Sequence, residues 1–71
     1  MTLLAMVRCA EREERLRREF YPRRVERGQM TQETADHEIA CMAQIASSLR
    51  MQLVRETKQV KYGEAPKNLG T

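Results

Sequence analysis

The sequence predicts an all-α chain: an antiparallel helical hairpin with a short intervening helical turn, doubled into a homodimeric helical bundle. Three observations predict this. Two long runs carry apolar residues at three- and four-residue steps, the period of a helix face. Between them lies dense helix punctuation, from Tyr21-Pro22 through Gly28 to Met30-Thr31. Large rings are scarce, with one Phe, two Tyr and no Trp in 71 residues, so Ala, Met, Leu and Ile must do the packing.

The first helix is expected from about Thr2 to Phe20. Thr2 is placed to cap it, its hydroxyl accepting from a free backbone N–H. Leu3, Met6, Val7, Cys9, Ala10, Leu16 and Phe20 share one face, interrupted at Glu13. Glu11/Arg15 and Glu14/Arg18 sit four apart with the acid first, an orientation contributing about 0.2–0.5 kcal/mol per pair.

At the bend, the proline ring is expected to push Tyr21 out of helical geometry. Pro22 then suits the first position of a new turn, where its missing N–H costs nothing. That turn, Pro22 to Arg27, is expected to end at Gly28, which accepts a left-handed backbone at small cost.

The second helix begins at Thr31 as N-cap, with Glu33 and Asp36 favoured near its positive end. Met30 before the cap is placed to pack on Ala35 as a staple. Ala35, Ile39, Met42, Ala46, Leu49 and Leu53 follow in steps of four and three, with Ile45 widening the stripe. This is a coiled-coil-like seam in which small alanines allow close approach. The helix is expected to reach about Lys58. Residues 1–62 form the hairpin domain, and Gly63 and Pro66 mark a flexible tail over 63–71.

Folding the helices together sets Leu16 opposite Ala35, Cys9 opposite Met42, Met6 opposite Ile45 and Leu3 opposite Leu49. The expected core and dimer residues are Leu3, Val7, Leu16, Ile39, Met42, Ile45, Leu49 and Leu53. Leu53, Val54 and Val60 find no partner in the shorter helix. Burying one such side chain contributes about 1.5–3 kcal/mol, which favours a second copy across a two-fold axis. A chain this short buries only about 60% of its unfolded surface, which favours the same outcome.

Charge and cysteine usage narrow the function. Charged residues are 32% of the chain and the net charge is +3, with Glu interleaved among the basic residues. That is the pattern of an exposed helical face rather than a one-sided polyanion binder. Cys9 and Cys41 make no disulfide framework and indicate a reducing, cytoplasmic setting. The apolar run Leu3 to Val7 is too short for a membrane span or a signal-peptide core.

Candidate chemistry is thin. His37 and Cys41 lie four apart on one helical face, and Cys9 can approach from the first helix. A closed zinc site takes four ligands, and only a carboxylate such as Glu13 or Glu38 could complete this set. Cys41 beside His37 lacks the pocket that nucleophilic catalysis needs, and Glu13 and Glu14 point apart. No catalytic residue, metal or cofactor is therefore assigned, and the chain is read as no enzyme. The stronger signal is the arginine group near the bend, Arg15, Arg18, Arg23, Arg24 and Arg27, with Phe20 and Tyr21 among them. Arg and aromatic side chains dominate protein interface hot spots, and arginines also neutralise phosphates. Partner contact is assigned to Phe20, Tyr21, Arg23, Arg24 and Arg27, with Met51 and Arg55 as a second patch.

The string Tyr21-Pro22 through Gly28-Gln29-Met30-Thr31-Gln32 to Ala35-Asp36-His37-Glu38-Ile39-Ala40 resembles small uncharacterised proteins encoded by bacteriophages and prophages. The likeness covers about a third of the chain. It implies a helical turn architecture and a phage origin, with no activity and no site residues attached. Short phage proteins of this kind often bind and block a host protein, such as a transcription regulator or a defence complex. The expected function is thus steric inhibition or modulation of a host protein by protein–protein contact. A nucleic-acid-binding regulator using the bend arginines is the alternative, and a virion or assembly component is a third.

Overall fold

The computed structural model describes residues 1–69, with side chains through Thr57. Two helices, α1 (Leu3–Glu26) and α2 (Gln32–Leu69), pack against each other as an antiparallel hairpin, and the described residues contain no strand. The Cα trace is only 13 Å across in its thinnest direction, a single layer of two helices.

The ends of the helices follow from their capping residues. The Thr2 hydroxyl accepts from the Ala5 amide at 3.1 Å. The Thr31 hydroxyl accepts from the Thr34 amide at 3.0 Å. Each supplies an acceptor to an N–H with no partner inside its helix. Gly28 ends α1 at φ +74°. Its amide donates to Val25 at 3.0 Å and the Gln29 amide to Arg24 at 2.8 Å. These two bonds form a Schellman motif, which requires the left-handed residue that glycine supplies.

Two boundaries differ from expectation. The turn over Pro22–Arg27 is not a separate piece, because α1 runs unbroken through Tyr21 and Pro22 to Glu26. Pro22 lies one turn from the end, so its missing N–H releases only the Arg18 carbonyl. Tyr21 is helical, and its ring meets two guanidiniums, Arg17 at 5.9 Å and Arg24 at 5.5 Å. The second helix does not stop near Lys58 but continues to Leu69. A glycine such as Gly63 costs only about 1 kcal/mol in a helix interior, so it need not end one. Of the tail expected over 63–71, the last two residues lie outside the described residues, as does the side chain of Val60.

Among the described residues the buried core is small: Val7 and Ala10 from α1, Ala35 and Ala46 from α2. Around it Leu3, Ile39, Met42, Leu49 and Leu53 are half-buried. The α2 seam is therefore the expected one. The α1 seam is not. Positions 3, 7, 10, 14, 17 and 21 turn inward, so Glu14, Arg17 and Tyr21 are half-buried while Leu16 and Phe20 are 40% and 41% exposed. Leu16 does not pack into the hairpin against Ala35, and Met6, Cys9 and Ile45 are likewise exposed. In this orientation Arg17 meets the main-chain carbonyl and the carboxylate of Glu38, contacts that Leu16 could not make.

Candidate protein-binding surface

Arg17 is the polar pin of the hairpin. Its Nη1 donates to the Glu38 main-chain carbonyl at 2.9 Å and lies 3.5 Å from the Glu38 carboxylate. Its Nε donates to Glu13 at 3.0 Å. The Glu13 hydrogen bond raises the Arg17 pKa above its ordinary value, more than burial lowers it. A second bridge crosses the helices where Arg50 meets Glu11 at 2.9 Å. Arg18 pairs with Glu14 within α1 at 2.9 Å, as its spacing predicts. Glu11 thus serves Arg50 instead of the expected Arg15.

These pairs engage Glu11, Glu13, Glu14 and Glu38 and leave most arginines open. Among the described residues, Arg8, Arg12, Arg15, Arg23, Arg24, Arg27 and Arg55 form no ion pair. Two of them are nonetheless held in place at the bend. The Arg23 guanidinium stacks over Phe20 at 5.7 Å and Arg24 over Tyr21 at 5.5 Å. Such contacts contribute about 0.5–1 kcal/mol where exposed, and they fix long side chains without neutralising them. Arg24 also borders a depression of about 240 Å³ with Leu16, Phe20, Tyr21, Arg17 and Glu13. Phe20, Tyr21, Arg23 and Arg24 are therefore brought together, with Arg27 at the C-cap beside them.

The other proposed patch stands apart. Met51 and Arg55 are exposed one turn from each other on α2, about 30 Å along the helix from the bend. They do not join the bend surface.

An apolar flank, missed as such in the sequence, runs alongside the seam. Met6, Cys9, Leu16 and Phe20 on α1 follow the spacing of a second stripe, interrupted by Glu13. Met42, Ile45 and Leu49 on α2 face the same side, where they line an open groove of about 330 Å³ with Met1, Met6, Cys9 and Ala10. At about 100° per residue, Glu11 and Arg50 fall on the opposite side of the hairpin. The interhelical ion pair thus lies on one side of the hairpin, which also exposes Leu4 and Val54, and the groove lies on the other.

The metal and disulfide candidates are not assembled. Cys9 and Cys41 are exposed free thiols. Among the described residues no three His, Cys, Asp or Glu side chains cluster to hold an ion. No helix in that range is long and apolar enough to cross a membrane. Compared with known proteins, the chain matches no family model, no curated protein and no solved structure.

Proposed function

We propose that this chain is a small self-associating helical module that acts by binding another protein and sterically covering part of its surface. One observation carries the reading. Arg23 and Arg24 are held over Phe20 and Tyr21 beside Arg27, and none of the three arginines has an acid partner. Pre-positioned, uncompensated arginines next to aromatic rings are the composition of an interface hot spot for an acidic partner surface. Ordering those side chains before contact reduces the entropy lost on binding. The likeness to small bacteriophage proteins makes a host protein in the cytoplasm the class of target we favour, with inhibition or modulation as the outcome.

Self-association belongs to the same reading, because a two-helix layer with four buried residues among those described, three of them alanine, has little core of its own. Nucleic acid is the second reading, favoured by the further open arginines Arg8, Arg12 and Arg15 on the outer side of α1.

Capture of partners from a host lysate, repeated after nuclease treatment, tests the choice. A discrete protein that survives nuclease and is lost with Arg23→Glu/Arg24→Glu supports the reading. Recovery of nucleic acid alone, released steeply by salt with a slope of about 0.9 per phosphate neutralised, sinks it in favour of the second.

A further inference from the structure

We infer that the uncovered flank is filled by a second copy of this chain, lying antiparallel so that its Leu16–Phe20 ridge seats in the groove beside Cys9. The inference rests on the self-association proposed above and assigns it a face and a direction.

The need comes first. Among the described residues, Val7 is the largest in the buried core and no large side chain is fully buried. A helical layer must cover its apolar side against another element. A second copy supplies such cover at fixed stoichiometry wherever the chain is made. The two sides of the hairpin are unequal in this respect. The Glu11–Arg50 side is bridged by an ion pair and exposes Leu4 and Val54 as separate side chains, whereas the Met6–Phe20 side offers a partner both a stripe and a groove.

The shape comes second. The flank has a ridge at its bend half, Leu16 and Phe20, and a groove of about 330 Å³ at its open half, between Cys9, Ala10, Met42 and Ile45. A two-fold interface must be self-complementary, residue for residue. The α1 stripe meets that condition: 6, 9, 13, 16 and 20 are nearly symmetric about 13. An antiparallel copy centred there sets Phe20 over Met6 and Leu16 over Cys9, twice. Sulfur against an aromatic ring is itself a favourable contact. Glu13 then meets its own equivalent at the axis. Each Glu13 already accepts from an Arg17 at 3.0 Å, so the axis carries two acids and two guanidiniums rather than bare like charge. A central polar layer of this kind fixes register in helical assemblies.

The experiment uses the full chain. Sedimentation equilibrium at micromolar concentration is expected to give a two-chain mass and a Tm that rises with concentration. Leu16→Glu and Ile45→Glu are expected to raise the dissociation constant about 10- to 100-fold, the loss expected for one buried aliphatic contact. Met51→Glu, on the outer side of α2, is expected to leave it unchanged. Should the flank variants unfold, crosslinking gives the second measurement. In a Cys41→Ser background, Leu16→Cys is expected to form an interchain disulfide with Cys9 under mild oxidation. With Cys9 alone no dimeric crosslink is expected, because two Cys9 residues in this register lie about 12 Å apart along the axis. A monomeric wild-type chain overturns the self-association reading altogether. A dimer indifferent to Leu16→Glu and Ile45→Glu, or broken by Met51→Glu, overturns this face while self-association stands. Crosslinking through Cys9 alone overturns the antiparallel direction.

Discussion

Arg17 on α1 donates to the main-chain carbonyl of Glu38 on α2 at 2.9 Å, a bond that joins the two helices from inside their seam. The acceptor is backbone, so the bond fixes where α2 lies and does not depend on the Glu38 side chain. The same guanidinium stacks on Tyr21 at 5.9 Å and ties Glu13 at 3.0 Å. One side chain therefore joins the two helices, contacts the ring that precedes Pro22, and ties an acid of the apolar flank.

Replacing Arg17 with Ala removes all three contacts. The ion pairs are partly exposed and contribute little after solvent screening. The hydrogen bond and the ring contact together are worth about 1–2 kcal/mol. Arg17→Ala is expected to lose that amount in urea denaturation at fixed protein concentration. Arg17→Lys keeps the charge but not the fork of donors and is expected to lose at least half as much. The charge-dependent part is present below the unfolded pKa of Arg17 and lost only as pH rises through its raised folded value. Mild alkali is therefore expected to leave it intact.

Gly28 sits at φ +74° with nothing within 4 Å of the position a Cβ would take. The cost of Gly28→Ala is thus backbone strain alone, with no steric clash from neighbours. It is expected to destabilise the hairpin by about 1 kcal/mol, and Gly28→Asn by less, because Asn tolerates the left-handed region. Thermal melts of the two variants at equal concentration check the order.

The fold was legible wherever apolar residues and caps alone decide it. Thr2, Gly28 and Thr31 mark their boundaries, and Ala35, Ile39, Met42, Ala46, Leu49 and Leu53 mark the α2 seam without ambiguity. On α1 the apolar face reads as Leu3, Met6, Val7, Cys9, Ala10, Leu16 and Phe20, of which Leu3, Val7 and Ala10 turn inward. The real seam contains Glu14 and Arg17, polar residues whose inward place depends on acceptors on the other helix. No count of apolar residues on one helix can see those acceptors. The sequence did carry a trace of them, since 3, 7, 10, 14, 17 and 21 keep the same four-three spacing as the α2 seam. The bend arginines were legible as a group. Their stacking on Phe20 and Tyr21 was not, because it needs Tyr21 to remain helical before a proline.

Thr31 caps α2 through its hydroxyl, which accepts from the Thr34 amide at 3.0 Å and also meets the Thr34 hydroxyl at 2.9 Å. Thr31→Ala leaves that amide without its acceptor and is expected to cost about 1 kcal/mol, whereas Thr31→Ser keeps the oxygen and most of the stability. Chemical denaturation distinguishes the two. The cap stands directly after the Schellman turn, so losing it loosens the bend itself. Thr31→Ala is therefore also expected to raise amide exchange at Gly28 and Gln29, a change that Thr31→Ser does not produce.

Ala46 is completely buried and Ala35 nearly so, at 0% and 1% exposure, while the larger neighbours Ile39, Met42 and Leu49 remain partly open. Small residues at the points of closest approach set how near α1 and α2 can lie. Ala46→Leu adds three carbons where there is no room, and overpacking of this kind costs about 1–3 kcal/mol. The consequence should extend beyond stability. Pushing the helices apart also lengthens the reach from Arg17 to the Glu38 carbonyl and from Arg50 to Glu11. In the Ala46→Leu background, removing Arg17 is therefore expected to cost less than it does in the wild-type chain. A double-mutant cycle measures the difference directly. Strict additivity of the two substitutions would mean that helix spacing and the Arg17 bond are independent, contrary to the geometry of the seam.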